Sequence, residues 1–307
     1  MVTSLVGYTG FVGSNIVGEY NFNNLYNSKN ISDSYGTRPD LLIYAGVRAE
    51  KFIANNEPEQ DYKIVKEAFS NIKQINAKKV VLISTIDVYK KPILVNEDTV
   101  IDTENLHPYG LNRYYLEQWV SKEFDSTIIR LPGLFGRNIK KNFIFDLIHI
   151  IPTMLKKEKF LELSQVNIDL HKYYYLVDNG FYRCKDLNTD ERSILKTIFE
   201  EICFSAINFT DSRGDFQFYN LAYLWKHIKI ALNNNINILN LATEPVNIGE
   251  MYNIIYHKEF KNEITNVIPK YNYLTKYDEL FEGKDGYIFS KEKVLADILK
   301  FVKGYSV

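Results

Sequence analysis

The stretch Val2-Thr-Ser-Leu-Val-Gly7-Tyr-Thr-Gly10-Phe-Val-Gly13 decides the fold. A short apolar run passes directly into three glycines spaced G-x-x-G-x-x-G, and a helical pattern over Phe11–Gly18 follows. Glycines at such a strand-to-helix turn permit a tight bend and close approach of the backbone to a pyrophosphate. The free N–H groups at the helix start then meet its charge. The commoner fingerprint is G-x-G-x-x-G, so the loop alone also reads as a plain glycine-rich turn. Its setting, strand before and helix after, favours dinucleotide binding by Gly7, Thr9, Gly10, Phe11, Val12 and Gly13.

Further apolar runs at Leu41–Ala45, Val80–Ser84 and Ile128–Leu131 are each too short for a helix and bounded by turn residues, so they read as buried strands. Between them lie helical patterns over Glu57–Lys79, with Ile64, Val65, Ala68, Phe69, Ile72 and Ile75 on one face, and over Tyr109–Phe124. Strands alternating with amphipathic helices predict α/β architecture, a parallel sheet covered on both faces. Beyond about residue 138 helical patterns take over, at Phe143–Lys157, Asp190–Glu201 and Leu221–Asn233, with strand candidates at Phe216–Tyr219 and Ile238–Leu241. The expectation is a Rossmann-type doubly wound sheet in residues 1–137. A smaller, mostly helical C-terminal substrate domain would span 138–307, with a return to the sheet open around 216–241.

The second strand should end on the group that meets the adenosine ribose. Asn27, Ser28 and Lys29 stand there, where an NAD-binding chain usually places an acidic residue. Without a carboxylate a 2′-phosphate is not repelled, which tilts the expectation from NAD towards NADP; Lys29 is otherwise a solvated surface charge. Ala45 and Gly46 end the next strand and are assigned to the same cofactor. The strand Val80–Tyr89 carries Thr85 and Asp87 at its C-terminal edge, where ligands bind in open α/β sheets. Tyr109 and Arg113 share one helix face, so the cation can stabilise a phenolate and make the tyrosine a proton carrier beside a nicotinamide.

At these residues the sequence resembles the extended short-chain dehydrogenase/reductase superfamily, in particular its NAD-dependent epimerase/dehydratase-like nucleotide-sugar enzymes. Gly7–Gly13 is similar to its dinucleotide loop, and Ser84-Thr-Ile-Asp-Val-Tyr89 followed by Pro108-Tyr-Gly110 resembles its Ser/Thr-then-Tyr arrangement. Thr37–Gly46 with Glu57-Pro-Glu59 is similar to the compact version in dTDP-4-dehydrorhamnose reductases, and Arg130–Gly136 to the strand and loop after the tyrosine helix. The resemblance covers roughly residues 1–137. It implies hydride transfer at sugar C4, with Thr85 on the sugar oxygen and Tyr109 as general acid/base. Asp87 would sit where the dehydratases keep their C5 base, one methylene shorter; the alternative is a local turn cap. The family pattern is Tyr-x-x-x-Lys, and Arg113 stands in the lysine's place. Arginine keeps the charge and can donate to ribose hydroxyls, but it is longer, planar and never releases its proton.

Arg48, with Lys51 beside it, follows the Leu41–Ala45 run and faces a pocket or rims a loop. Arg137, Asn138, Lys140 and Lys141 form a basic cluster suited to a sugar-nucleotide diphosphate, and Arg213 is a second candidate. His107, two residues before Tyr109, reads as a turn residue. The implied function is a nucleotide-sugar epimerase or dehydratase. A NADPH-dependent 4-keto-sugar reductase and a non-catalytic NAD(P)-binding regulator are the alternatives.

The 307 residues suffice for about two domains. Lys+Arg 37 against Asp+Glu 38 leaves a net charge of −1, so no whole-chain field draws in nucleic acid or an anionic membrane. No apolar stretch is long enough to span a bilayer, and no signal-peptide pattern precedes the first strand. Cys184 and Cys203 are too few for a disulfide framework, and the five histidines lack ligand spacing, so the expectation is a metal-free cytoplasmic protein. A homodimer through the tyrosine helix is expected from the family, with Tyr114, Tyr115 and Trp119 either at that interface or in the core. The 23 tyrosines and 19 phenylalanines fit a thick core or a ring-lined cleft equally well.

Overall fold

The structure is a computed structural model that describes residues 1–178 and 180–305. Six strands form one all-parallel sheet: β1 (Thr3–Val6), β2 (Asn24–Tyr26), β3 (Leu41–Tyr44), β4 (Lys79–Thr85), β5 (Asp125–Leu131) and β6 (Ile238–Asn240). Their spatial order is β6-β5-β4-β3-β1-β2, so the winding direction reverses between β1 and β3. A crevice opens at the C-terminal edge beside such a reversal.

Alternate residues of these strands feed two cores. Leu5, Ile43, Val81, Ile129 and Leu239 face one side, under α1 (Phe11–Val17) and the helix Leu224–Asn233 with Trp225 and Ile228. Leu42, Tyr44, Val80, Leu82 and Ile128 face the other, under α3 (Pro58–Ile75) and α4 (Pro108–Glu123), through Val65, Ile72, Leu116 and Val120. Pro58 at the first turn of α3 costs no hydrogen bond, because that N–H has no partner in a helix. A short helix, α2 (Lys51–Asn56), separates β3 from α3.

The chain does return to the sheet: β6 pairs in parallel with β5, Ile238 opposite Ile128. The run Phe216–Tyr219 is two strands divided at Gln217. Phe216 pairs with Val246 and Phe218 with Gly133, while the buried Gln217 amide donates to the Thr243 and Tyr273 carbonyls. The single helix expected over Phe143–Lys157 is instead a helix Phe143–His149, a strand Met154–Lys156 and a new helix from Lys157. Pro152 has no N–H to donate, and Ile150 takes φ 49°, which ends the first helix. From there the chain builds a unit absent from the sequence expectation, a three-stranded antiparallel sheet of Met154–Lys156, Tyr174–Leu176 and Phe181–Cys184. It has its own core of Leu155, Phe160, Leu170, Tyr174, Leu195 and Phe199. Phe218 and Tyr219 are buried too, so much of the aromatic excess is core rather than cleft lining. Among the described residues no helix is long and apolar enough to cross a membrane.

Candidate active site

Three loops leave the C-terminal edge of the sheet side by side, after β1, β3 and β4, and the middle one joins the other two. The loop after β1 is tied to it by steric closeness. Gly7 has φ +89°, and a Cβ there would lie 2.4 Å from the Ala45 carbonyl oxygen; a Cβ on Gly13 would lie 2.2 Å from the Gly7 oxygen. The loop is a cradle that any side chain at 7 or 13 would fill. Its outer face at Gly10, Thr9 and the helix start is open to solvent, while Phe11 and Val12 turn their side chains onto the core. Beyond the middle loop, the Arg48 carbonyl accepts from Arg113, and Lys51 reaches the turn after β4.

That turn and the start of α4 hold the titratable cluster. Thr85 accepts from the Asp87 N–H at 3.2 Å, and Gly110 brings α4 against the Asp87 carbonyl, which a Cβ would approach to 2.1 Å. The helix start is pinned by Asn55, which accepts from the Tyr109 N–H, and by His107, whose Nδ1 accepts from the Gly110 N–H at 3.1 Å. His107, expected as a turn residue, is the N-cap of α4. Tyr109 is buried, with the Arg113 guanidinium 4.0 Å from its ring centroid.

The electrostatics depart from expectation. Burial pushes the Tyr109 phenol above its ordinary value, with Asp87 adding to the rise; Arg113, Lys51 and a hydrogen bond with Thr85 pull it down without reversing the sign. The phenol is a proton donor at neutral pH, not a phenolate. Arg113 itself pairs with Asp61 in the interior, and its second terminal nitrogen is 2.6 Å from the Arg48 carbonyl. Both terminal nitrogens of Arg113 have a protein acceptor, and the remaining N–H groups of its five-donor guanidinium are those a ribose hydroxyl would have to use. Lys51 Nζ lies 2.8 Å from Asp87 Oδ1, and both act on the Tyr271 phenol, which burial and the Asp87 charge push above its ordinary value while Lys51 pulls it down. Asp87 is thus an ion-pair partner.

The other residues singled out in the sequence are dispersed. Asn27 Oδ1 accepts from the Lys29 N–H and shapes the turn after β2, leaving Ser28 and Lys29 exposed. Gly46, Arg48 and Lys140 are exposed. Arg137 is exposed, with its guanidinium 3.2 Å from the Ser14 carbonyl, and Asn138 reaches the Ser14 hydroxyl. Lys141 donates to the Ala49 carbonyl. Arg213 donates to Asp211, Glu263 and the Thr265 carbonyl. Asp61 and Tyr271 were not anticipated. Asp61 carries no local signal, and Tyr271 arrives from 162 residues beyond Tyr109, held by the Asp215 carbonyl and stacked on Phe216. Among the described residues no group of His, Cys, Asp and Glu is placed to hold a metal ion.

With this geometry in hand, solved structures supply the comparison. Two dTDP-4-dehydrorhamnose reductases superpose along the whole chain. The one from Clostridium acetobutylicum gives a TM-score of 0.64 at 11% identity, covering 100% of both chains. The one from Bacillus anthracis, in complex with NADP, gives 0.63 at 14% identity, covering 98% of each. The chain shares their fold. UDP-glucose 4-epimerase from Thermotoga maritima, with UDP-glucose, has it as well, at TM-score 0.62 and 15% identity over 100% of this chain and 99% of that one. No protein-family model and no curated protein matches the sequence.

Proposed function

We propose that the chain is an NAD(P)-dependent enzyme that oxidises or reduces a nucleotide-sugar at C4, of the epimerase and reductase kind. The observation that carries this reading is the placement of Thr85 and Tyr109 on the sheet edge that also bears the glycine cradle, joined to it through the Ala45–Lys51 loop. The cradle fits a dinucleotide: its crowded inner face demands glycine at 7 and 13, and its outer face is free for a pyrophosphate. A bound nicotinamide supplies the hydride. Thr85 and Tyr109 hold the sugar oxygen, and Tyr109 gives it a proton as the carbonyl becomes a hydroxyl, or takes one back in the reverse direction. Its protonated resting state suits the reductive direction, and the same fold is found in the two dehydrorhamnose reductases.

The dehydratase variant is disfavoured, because the Asp87 carboxylate is turned onto Lys51, with Oδ1 2.8 Å from Nζ. Ser28 and Lys29, exposed after β2 with no acid beside them, support NADP over NAD. The proposed division of labour gives residues 1–137 to the cofactor and 138–307 to the sugar nucleotide, with β6 lent back to the sheet. A homodimer through α3 and α4 belongs to the same reading, supported by the rings of Tyr62, Phe69, Tyr115 and Trp119 gathered across those helices.

The test is direct. Purified protein is given NADPH with a dTDP-4-keto-6-deoxysugar, and separately NAD with UDP-hexoses. Net NADPH loss identifies a reductase, and exchange of 4-epimers without net loss identifies an epimerase. Tyr109→Phe lowers either rate by roughly 10²–10⁴-fold without lowering the melting temperature. Cofactor binding without turnover of any such sugar would instead favour the regulator.

A further inference from the structure

The first two turns of α4 rest on the junction of α2 and α3, and Asp61 is the charged group that ties them there. It stands in the first turn of α3, buried, and its Oδ2 accepts from two consecutive residues of α4, Asn112 at 2.8 Å and Arg113. The Pro58 carbonyl also accepts from Asn112, at 3.3 Å, and Asn55 accepts from the Tyr109 N–H at 3.0 Å. Arg113 is thereby held from two sides, one terminal nitrogen on Asp61 and the other 2.6 Å from the Arg48 carbonyl. With both points fixed, its guanidinium carbon lies 4.0 Å from the centre of the Tyr109 ring. A lysine in this place would need no such frame, because an ammonium is a point charge on a flexible stem, whereas a planar guanidinium has an orientation to be set. A buried guanidinium also needs a counter-charge, and among the described residues Asp61 is the carboxylate paired with Arg113.

We propose that Asp61 is a positioning residue for Tyr109: acting through Arg113, it holds the guanidinium against the ring and balances its charge. The inference rests on the reading that Tyr109 is the acid/base. It explains how an arginine can occupy the fourth position after the tyrosine. The Asp61–Arg113 pair offers the ring a flat stacking partner with little net charge, and the phenol keeps its proton. The other groups around the phenol are Thr85 and Asp87 after β4, Lys51 of α2 and the His107 ring, 6.3 Å from that of Tyr109. Lys51 and Asp87 pair with each other at 2.8 Å. Burial and Lys51 hold His107 below its ordinary value, so it is neutral where a phenol titrates. The balance at Arg113 therefore falls to Asp61.

The experiment reads Tyr109 without any substrate. Protein labelled with ¹³C at the tyrosine Cζ is titrated by NMR, and the Tyr109 resonance is identified by its loss in Tyr109→Phe. Asp61→Asn keeps an acceptor oxygen for Arg113 and removes the counter-charge, so the Tyr109 midpoint is expected to fall by about one pH unit or more. Asp61→Asn combined with Arg113→Gln removes both charges, and its midpoint should return to within about one unit of the wild type. A pair that serves stability alone would lower the melting temperature of Asp61→Asn and leave the Tyr109 midpoint in place, and that result overturns the proposal. Should Asp61→Asn not fold, the double variant decides. Its midpoint lying more than about one unit above the wild type would mean that Arg113 acts on the phenol unbalanced, which overturns the proposal as well. If the midpoints move as stated but the wild type turns over no nucleotide-sugar, the functional reading fails while the assignment of Asp61 to Arg113 and Tyr109 stands.

Discussion

Helix α4 carries two buried charge clusters one turn apart, and they are built to different ends. At the rear, Glu117 and Arg130 are 1% and 2% exposed, and every group around them is answered. The Arg130 guanidinium binds both Glu117 oxygens and the Tyr89 hydroxyl, Ser84 donates to Glu117 at 2.5 Å, and Asn240 of β6 joins through Tyr89. This cluster bolts β4, α4, β5 and β6 together and offers nothing to a ligand. At the front, Arg113 and Asp61 close half of the cluster, but Lys51 and Asp87 stand partly in solvent at 42% and 17% exposure at the turn packed on the start of α4. The difference teaches that a buried ion pair is not by itself a sign of chemistry. What distinguishes the front cluster is that part of it, Lys51 and Asp87, stays open to solvent while the rear pair is sealed.

The rear cluster gives the largest expected effect. Glu117→Ala strands the Arg130 charge in the interior and should cost about 3–5 kcal/mol in urea denaturation. The double variant Glu117→Met, Arg130→Leu should recover most of that loss, because two apolar groups of similar volume remove the stranded charge. If the double variant keeps full stability but loses turnover, the rear cluster also serves the site, and the contrast with the front breaks.

A second effect, about 3 kcal/mol, belongs to His227, which is 2% exposed on the opposite face of the sheet from α4. Burial, with help from Lys226, pushes its ring down to about 4 from 6.5. The unfolded chain therefore takes the proton first. The stability this neutral ring contributes is complete above pH 6.5 and is lost as pH falls from 6.5 towards 4. Urea melts of wild type and His227→Gln across that window check it, and parallel pH profiles for the two would contradict it. Arg213→Ala gives the smallest effect. Asp211, 2% exposed, loses its guanidinium but keeps the N–H groups of residues 213, Ile264 and Thr265, so the variant should melt lower and leave KM for any nucleotide-sugar unchanged. A several-fold rise in KM would return Arg213 to the substrate.

The same two clusters show what a sequence reveals. The front was half legible, because Gly7–Gly13, Thr85, Asp87 and Tyr109 lie in short local patterns that share one sheet edge. Its other half, Asp61 and Tyr271, was hidden, since only the packing of α3 and of a distant loop against α4 brings them in. The strands β1, β3, β4 and β5 were readable from apolar runs because both their faces are buried. The unit between Ile151 and Phe204 was not: its strands are three or four residues long and half exposed, and Pro152 was absorbed into an apolar run read as helix. The last helix, Lys291–Tyr305, did carry a signal in Val294, Ile298 and Val302, spaced four apart and buried, which went unread. The partners of the arginines were not legible, because a cation near a presumed cleft looks the same in sequence whether or not it also meets a carbonyl or carboxylate of its own chain, as Arg137 and Arg213 do.

The proposed enzyme needs the Gly7–Gly13 cradle to hold a nicotinamide dinucleotide beside Tyr109. The most direct test is thermal melting of the wild type and of Tyr109→Phe with increasing NADPH and NADH. Both proteins should melt at higher temperature with NADPH, by an amount corresponding to about 2.7 kcal/mol at one hundred times the dissociation constant, and less with NADH. A wild-type melting temperature that no nicotinamide dinucleotide moves would contradict the account.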